Sequence, residues 1–365
     1  MNERRLRWFR FQRSGLATPF ESEAECAAAL FGVQAQILPS SAISLWNRSS
    51  LQSYEEFQTK LWEERQLLKL WGQRGTLHLY NVDDWPLLTA ARRLKRSYWA
   101  KQWEKAGREE EDFRTLVSRL DALALELGVL DRKDVKNALD DIDSEWLSSW
   151  GGIFTELVRE GQMCHAPPVG SRGQFAHRSH WVPELAWNEP GIEEANIELA
   201  RRYIRAHGPC NVRDLAHWRG ASLGDARRWW DVLEDECFEV DQHGNRLLIE
   251  DKTAWEEAEA PGDDWPMRLL HRFDPLVLAH KEKSWLLDMK YYKLVWRKAA
   301  HVEPVVMVDG RLVANWKYKR SGRKFHVQVE AFESLAQPIQ RFVKDESERL
   351  ATFFGADLGS VTFDD

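Results

Sequence analysis

The chain has 365 residues, of which 43% are hydrophobic and 30% charged, and its formal net charge is −7 at pH 7. This length is enough for two or more domains, because one domain usually takes roughly 100–200 residues. No apolar run approaches the roughly 18 residues that a membrane span requires, and the basic N-terminal segment lacks the apolar core of a secretory signal. We therefore expect a soluble, cytoplasmic globular protein with no membrane partner.

The cysteine content argues against several classes of protein. The four cysteines are far apart and form no close pair. Disulfide frameworks, zinc ribbons and iron–sulfur clusters rely on closely spaced cysteines, so none of them is expected. We predict reduced, mostly structural thiols at Cys26, Cys164, Cys210 and Cys237.

Positive charge is concentrated in two stretches despite the negative total. Residues 281–324 carry 12 lysines and arginines against four acidic residues, and residues 92–108 hold a second basic group. Segregated charge of this kind is typical of a protein that presents one face to a polyanion. Ordinary solvated helix faces are the alternative explanation.

In chain order, the predicted elements begin with a less regular segment. The run SEAECAAALFGVQAQ predicts a helix that starts near Ser22, and YEEFQTKLWEERQ predicts another. The following LLKLWGQRGTLHLYN predicts paired short strands around Gly72. This segment therefore ends in a two-stranded ribbon.

The second segment contains three predicted helices and a ribbon. FRTLVSRLDALALELG predicts a helix that Gly128 ends, a short helix starts at Asp131, and SEWLSSWGGIFTELVREG predicts a third helix. QMCHAPPVGSRGQFAHRSHWVP then predicts a ribbon with a loose basic tip at Gly170, Arg172 and Gly173.

The third segment repeats this order most clearly. IEEANIELARRYIRAHG predicts a helix that Gly208 and Pro209 end, and Asn211 and Ser222 suit the N-caps of two further helices. CFEVDQHGNRLLIED predicts a hairpin with HGN at its turn.

Helix–turn–helix followed by a β-ribbon is the winged-helix pattern, whose third helix usually enters a DNA groove. After about Asp264 the chain changes to short β-rich runs, including a hairpin with Asp-Gly at the turn in VVMVDGRLVANW and a closing helix in PIQRFVKDESERLATFFG. We predict an α+β fold of three tandem winged-helix units with a mostly β C-terminal domain. The predicted boundaries are 1–108, 109–188, 189–260 and 261–365.

The stretch GVQAQILPSSAISLW places Gln34 and Gln36 one residue apart, just before Pro39. An amide side chain can orient a reactant but cannot take its proton. In an ideal helix the two side chains would point about 200° apart, whereas Pro39 predicts that the helix ends or bends near Leu38. From the residues alone, two surface glutamines on an ordinary helix are the favoured interpretation.

Five stretches in this order resemble the AlkZ/YcaQ-like bacterial DNA glycosylases. They are GVQAQILPSSAISLW, RGTLHL, ARRYIRAHGPCNVRDLAHWRG, FDPLVLAHKEKSW and EPVVMVDGRLVANWKYK. The resemblance covers nearly the whole chain. It implies three tandem winged helices that frame a concave basic surface, and excision of N7-alkylated purines, including bases tethered in interstrand crosslinks.

The resemblance also implies a catalytic pair. The family signature is glutamine, an apolar residue, then glutamine or aspartate, and here it falls on Gln34, Ala35 and Gln36. The sequence looks like the Gln-x-Gln branch. We expect a monofunctional glycosylase that acts on double-stranded DNA as a monomer, without a cofactor. A non-enzymatic winged-helix regulator and an inactive, diverged relative are the alternatives.

Further residues are candidates for supporting roles. Arg74, Thr76 and His78 in RGTLHL are predicted to support the glutamine site, although a plain turn and a structural histidine are open alternatives. The tip residue Arg172 is predicted to probe the minor groove, with His177 on the same DNA-binding ribbon. Phosphate contacts are predicted for Lys317, Lys319, Arg320, Arg323 and Lys324.

Two acidic or histidine-rich runs are weaker candidates. The HRSH run with His177 and His180 fits no metal-ligand spacing, so we expect no metal there. The DDID run, with Asp140, Asp141 and Asp143, is better explained by helix capping and solvent-facing charge than by a nuclease site.

Overall fold

The computed structural model describes residues 2–139, 142–148, 151–262, 264–298 and 300–364. The chain divides into two compact units, one formed by residues 1–59 and 200–365 and the other by residues 60–199. We call them the discontinuous unit and the inserted unit. Neither boundary coincides with the four predicted segments, whose division stays a prediction.

The N-terminal part of the discontinuous unit is helical. Asn2 caps the first helix by accepting a hydrogen bond from the Arg4 N–H, and Ser22 caps the second in the same way through Glu25. Leu6 of the first helix is buried in a core that it shares with residues more than 250 positions later in the chain. The elements are α1 (Glu3–Arg13), α2 (Glu23–Ala29), β1 (Val33–Gln34), α3 (Leu38–Trp46) and α4 (Tyr54–Trp62), whose last three residues belong to the inserted unit.

The inserted unit holds the two predicted ribbons of the first half of the chain. Its elements are β2 (Leu67–Trp71), β3 (Leu77–Asn81), α5 (Trp85–Arg92), α6 (Tyr98–Lys105), α7 (Glu110–Leu127), β4 (Val129–Leu130), α8 (Arg132–Ala138), α9 (Phe154–Arg159), β5 (Met163–Val169), β6 (Arg172–His177) and α10 (Arg178–Trp181). Strands β2 and β3 pair antiparallel, and β6 pairs with both β5 and β4. The predicted ribbon around Gly72 is confirmed.

Two predicted helix signals in this unit are confirmed, and one predicted helix is wrong. Gly128 ends α7 with a positive φ of 73°, and Asp131 forms a capping box at the start of α8. The single helix predicted over SEWLSSWGGIFTELVREG is wrong, because only a short 3₁₀ turn (Ser144–Leu147) and α9 form there. The two glycines after Trp150 adopt positive φ and interrupt the helix. Ser149 and Trp150 lie outside the described residues.

The third predicted segment is confirmed element by element. It contains α11 (Ile192–His207), α12 (Val212–Arg219), α13 (Leu223–Val232), β7 (Cys237–Glu239) and β8 (Arg246–Leu248). Asn211 caps α12 in a capping box, Gly220 ends it in the left-handed conformation, and Ser222 caps α13. Strands β7 and β8 pair antiparallel, so three helices are followed by a two-stranded hairpin.

The C-terminal region is rich in β-structure, as predicted. The elements are α14 (Lys252–Glu257), β9 (Arg268–Leu270), α15 (Pro275–Leu278), α16 (Tyr292–Val295), β10 (Trp296–Arg297), β11 (His301–Val302), β12 (Val305–Val308), β13 (Arg311–Ser321), β14 (Lys324–Ala331), α17 (Gln337–Phe353) and β15 (Asp357–Asp364). The main sheet has five strands in the order β15-β14-β13-β12-β9, and Asp309 and Gly310 form the expected β12–β13 turn with positive φ at both residues. The closing helix is α17, but β15 follows it and runs parallel to β14, which was not predicted.

The mixed α+β class is therefore confirmed. Within the residues that the structure describes, no helix is long and apolar enough to cross a bilayer.

Candidate active site and nucleic-acid contacts

The predicted helix over the glutamine motif is wrong, because α2 ends at Ala29. Phe31 adopts the left-handed conformation with φ of 46°, and Gly32 follows with φ of 104°. The Phe31 N–H donates to the Ala28 carbonyl and the Gly32 N–H to the Ala27 carbonyl, which is the hydrogen-bonding pattern of a Schellman helix end. A left-handed backbone conformation costs free energy at a residue other than glycine, so the packing around Phe31 must stabilise it. Both glutamines consequently lie outside a helix.

The glutamine segment, residues 33–37, connects α2 to α3 in non-helical backbone. Gln34 is the second residue of β1, and Ile37 is extended with φ of −122° and ψ of 106°. Pro39 sits in the first turn of α3, so it begins the next helix instead of ending the previous one. The 200° divergence of an ideal helix therefore does not apply to the two amides. Gln34 is buried, with 7% of its surface exposed, whereas Gln36 is exposed.

The start of α3 is anchored by a contact that the sequence did not indicate. The Ser40 hydroxyl and His271 Nδ1 share a hydrogen bond of 2.8 Å, and both side chains are buried. The His271 ring also lies 5.2 Å from the Trp316 ring. Burial, followed by the positive charge of Arg272, lowers the pKa of His271 to about 3. A neutral imidazole therefore fixes the turn that follows Gln36.

The far end of α3 is held by a fully buried ion pair. Arg48 donates to both carboxylate oxygens of Asp274, at 2.8 and 2.7 Å, and both side chains are 0% exposed. Arg48 also donates to the Ser14 and Ser44 carbonyls. Asp274 in turn caps α15 through the Leu276 N–H. The helix that follows the glutamine segment is thus fixed at both ends.

In the inserted unit, the candidate residues of RGTLHL occupy the turn between β2 and β3. Arg74 has a left-handed backbone with φ of 55°, and burial lowers the pKa of its guanidinium. Thr76 Oγ1 donates to the Gln73 carbonyl at 3.1 Å. His78 lies on β3, where the sequence predicted it.

The protonation state of His78 follows from its surroundings. Its Nδ1 is 3.0 Å from the Thr76 carbonyl oxygen, and a carbonyl only accepts, so Nδ1 carries the hydrogen. Burial, followed by the charge of Arg74, lowers the pKa of His78 to about 3. This histidine is neutral at pH 7, with Nε2 as a hydrogen-bond acceptor.

The hairpin β5–β6 has an exposed tip and a buried base. Val169 pairs with Arg172, so the turn is formed by Gly170 and Ser171. The Arg172 side chain is 54% exposed and lies 3.1 Å from a carboxylate oxygen of Asp131. An ion pair with one partner this exposed contributes little, so Arg172 can leave it at small cost.

His177 lies at the other end of this hairpin. It is 6% exposed, shares a hydrogen bond of 2.7 Å with the Ser179 hydroxyl and lies 3.4 Å from Asp121. Burial lowers its pKa, and the carboxylate of Asp121 opposes this shift. The predicted contact of His177 with DNA stays a prediction, and in this structure its side chain offers little surface for one.

The five predicted phosphate-binding residues lie together on β13, β14 and the turn between them. We call residues 317–324 the basic hairpin. Lys317 pairs with Glu330 at 2.9 Å and Lys324 with Asp357 at 3.7 Å, and all four side chains are exposed. Among the described residues, Lys319 and Arg323 have no acidic partner within 4.0 Å. All five cations, Lys317, Lys319, Arg320, Arg323 and Lys324, face solvent.

The arginines of the second basic stretch, residues 92–108, are paired with carboxylates more extensively than the basic hairpin. Arg93 binds both Glu160 and Glu189, and Arg96 binds Glu104 and Glu110. Carboxylates within the inserted unit therefore neutralise much of it. In the described part of the chain, no group of three or more histidine, cysteine or acidic side chains is arranged to hold a metal ion. Asp140 and Asp141 lie outside the described residues.

Comparison with known proteins identifies the family. A family model described as DNA glycosylase AlkZ-like matches residues 27–353. The chain belongs to the AlkZ-like DNA glycosylase family. Membership implies a DNA substrate, and the matched residues include every candidate position from Gln34 to Lys324.

The chain is similar to a protein and to a solved structure from Streptomyces sahachiroi. A protein described as an interstrand DNA cross-link repair glycosylase is 25% identical over 306 residues, which are 81% of this chain and 82% of the relative. The solved structure of DNA glycosylase AlkZ superposes with a TM-score of 0.81, covers 99% of both chains and is 23% identical. At this identity the structural likeness establishes the fold.

Proposed function

We propose that this AlkZ-like protein is a monofunctional DNA glycosylase that hydrolyses the N-glycosidic bond of cationic N7-alkylated purines in duplex DNA. Gln34 and Gln36 hold the attacking water. The observation that carries this proposal is the placement of the Gln-Ala-Gln motif in a non-helical segment, with one amide buried and the other exposed, inside the family match.

The chemistry of the substrate explains why amides suffice. Alkylation at N7 gives the purine a positive charge, so the base leaves with the bonding electron pair and the sugar becomes oxocarbenium-like. The water oxygen then bonds to C1′ and its proton passes to solvent. Aligning that water is a large catalytic contribution. A side-chain amide offers a carbonyl acceptor and N–H donors for this alignment.

The supporting residues fit a reaction without a strong base. His78 is neutral and accepts through Nε2, so at pH 7 it orients a donor and does not act as a general acid. Arg74 supplies positive charge and Thr76 fixes the turn that carries it. We assign these three residues to support of the glutamine site.

DNA binding is proposed to use three tandem winged-helix units. The segment from α11 to β8 has the expected order of three helices and a hairpin. The exposed tip of β5–β6 presents Arg172, which we assign to the minor groove, where arginine recognises width and potential more than sequence. The basic hairpin is assigned to phosphates, and its cations should contribute a salt-dependent, sequence-independent part of the affinity.

We extend the proposal to crosslinked purines. The relative from Streptomyces sahachiroi is described as an interstrand DNA cross-link repair glycosylase. A tethered base cannot be fully extruded into a closed pocket, unlike the bases that most glycosylases flip. A site on an open surface, where side chains hold the water, suits such a substrate. A monomer provides enough surface to bind the duplex.

The test is base release from a defined duplex. Purified protein is incubated with DNA that carries a single N7-methylguanine, without added metal, and abasic sites are scored by strand scission under alkali. We expect release by the native protein and a loss of at least about 100-fold in Gln34→Ala and Gln36→Ala, the scale of losing a positioning group.

Gln12→Ala is the matched control, because Gln12 is an exposed glutamine of α1. It should release the base at the native rate. Binding without release by the native protein would establish a DNA-binding module instead of an enzyme. Native rates in both glutamine variants would place catalysis elsewhere.

A further inference from the structure

Helix α3 begins at a residue that is poorly suited to begin a helix. Ile37 occupies the N-cap, and its side chain makes no capping hydrogen bond. Serine, threonine, asparagine and aspartate are preferred at this position, and isoleucine is among the poorest choices. Five other helices of the discontinuous unit follow the preference, whereas α14, α16 and α17 also lack a side-chain cap. The five caps are Asn2, Ser22, Asn211, Ser222 and Asp274, and each accepts a backbone N–H.

The Ile37 side chain is also exposed. It is 39% exposed, although the residues that follow it on α3 are largely buried, among them Ser40, Ala42 and Ile43. It directly follows Gln36, whose side chain faces solvent as well. An apolar residue at this N-cap costs helix stability, and in the free protein it is only partly buried. Such costs concentrate at functional positions.

We infer that Ile37 is a substrate-contact residue whose aliphatic side chain packs against the damaged nucleotide in bound DNA. This inference rests on the proposed function of the neighbouring glutamines. Base faces and deoxyribose rings are apolar, so contact with them would bury the surface that is exposed in the free protein. Proteins that distort DNA insert isoleucine, leucine or phenylalanine between bases in this way.

The contact also explains how a single water is selected. Apolar contact beside Gln36 excludes loosely held solvent from the nucleotide, while the amides retain the water that attacks C1′. Ile37 then determines how firmly the damaged nucleotide is held, and the glutamines determine the reaction.

The test is Ile37→Ser, because helix stability and substrate contact predict opposite results. Serine is a preferred N-cap, so the variant should melt no lower than the native protein. Its base release at subsaturating DNA should nevertheless fall about tenfold, the scale of one lost apolar contact. Ile37→Leu should recover most of the rate. Ile192→Ser is the matched control, since Ile192 is 42% exposed at the start of α11, and it should behave as native.

A second measurement separates the contact from the chemistry. DNA with 2-aminopurine beside the lesion is titrated with Gln36→Ala protein, with and without Ile37→Ser. The probe should brighten as the base unstacks, and Ile37→Ser should abolish most of that change. A native rate and native brightening in Ile37→Ser would overturn the inference, as would a lowered melting temperature that accounts for the lost rate. The brightening does not need base release, so it tests Ile37 even if the glutamines prove inactive.

Discussion

The glutamine segment and the basic hairpin differ in charge and in the burial of the contacts around them. The glutamine segment carries two neutral amides and leads into a helix fixed by a neutral histidine and a fully buried ion pair. The basic hairpin carries five exposed cations, of which Lys317 and Lys324 form ion pairs that solvent screens. Buried contacts fix the helix that follows the glutamine segment. The exposed cations of the basic hairpin can exchange their ion-pair partners.

Under the proposed function, this difference suits two tasks. A group that aligns water must keep its position, and buried hydrogen bonds provide that rigidity. A group that binds phosphate must replace counterions and tolerate many DNA sequences, which exposed charge does well. Substitutions near the first region should therefore change stability and rate, whereas those in the second should change affinity and its dependence on salt.

The largest expected effect comes from the buried pair. Arg48→Met leaves the Asp274 carboxylate buried without its partner, and we expect a loss of about 3–5 kcal/mol in the free energy of unfolding. Denaturant unfolding measures it. Lys317→Met breaks an exposed pair and should cost about 0–1 kcal/mol. Equal losses in the two variants would contradict the distinction between the regions.

Removal of the histidine beneath α3 should have the next largest effect. His271→Ala leaves the buried Ser40 hydroxyl without its partner, at a cost of about 1–3 kcal/mol. The rate of base release at saturating DNA should fall while DNA affinity stays native. His271→Gln keeps a hydrogen-bonding group and should recover most of the rate. A variant with native rate would show that this anchor does not position the glutamine segment.

The same histidine gives a pH dependence of stability. The pKa of His271 in the folded protein is about 3, below its ordinary value of 6.5, so the unfolded chain takes up a proton that the folded protein does not. Stability is complete above pH 6.5 and is lost as the pH falls below it. Between pH 7.5 and 5.5 this histidine lowers the free energy of unfolding of the native protein by about 1.4 kcal/mol. Over the same pH range the free energy of unfolding of His271→Gln should fall by about 1.4 kcal/mol less than that of the native protein.

The smallest expected effect lies in the basic hairpin. Arg323→Gln removes one exposed cation, so the slope of log affinity against log salt should become shallower by about 0.9. The rate at saturating DNA should not change. Lys252→Gln, on an exposed helix outside the hairpin, serves as the control and should keep the native slope. An unchanged slope in Arg323→Gln would remove this residue from the phosphate contacts.

Local signals explain what the sequence predicted well. The segment from α11 to β8 was predicted correctly because Asn211, Ser222 and Gly220 are ordinary helix-capping residues and because the turn lies at HGN. The β12–β13 turn was found for the same reason. In these segments the residue types that favour an element are adjacent to it in the chain.

The glutamine segment was mispredicted because its decisive contacts are distant in sequence. The alanine-rich run favours continuation of α2, and the residue that ends it is Phe31, for which a positive φ is not expected. Ser40 and His271 are 231 residues apart. Strand β15 was missed for a related reason, since it is defined by parallel pairing with β14 across a helix.

The discontinuous unit constrains how the protein can be made. The guanidinium of Arg4 donates to the carbonyl of Pro261, 257 residues later, and Asn47 donates to Leu269 across 222 residues. Helices α1 to α3 emerge from the ribosome long before these acceptors are synthesised. The first 59 residues therefore cannot complete their fold until the inserted unit has been made. During that interval apolar side chains such as Phe11, which is buried in the folded unit, lack the later residues of their core.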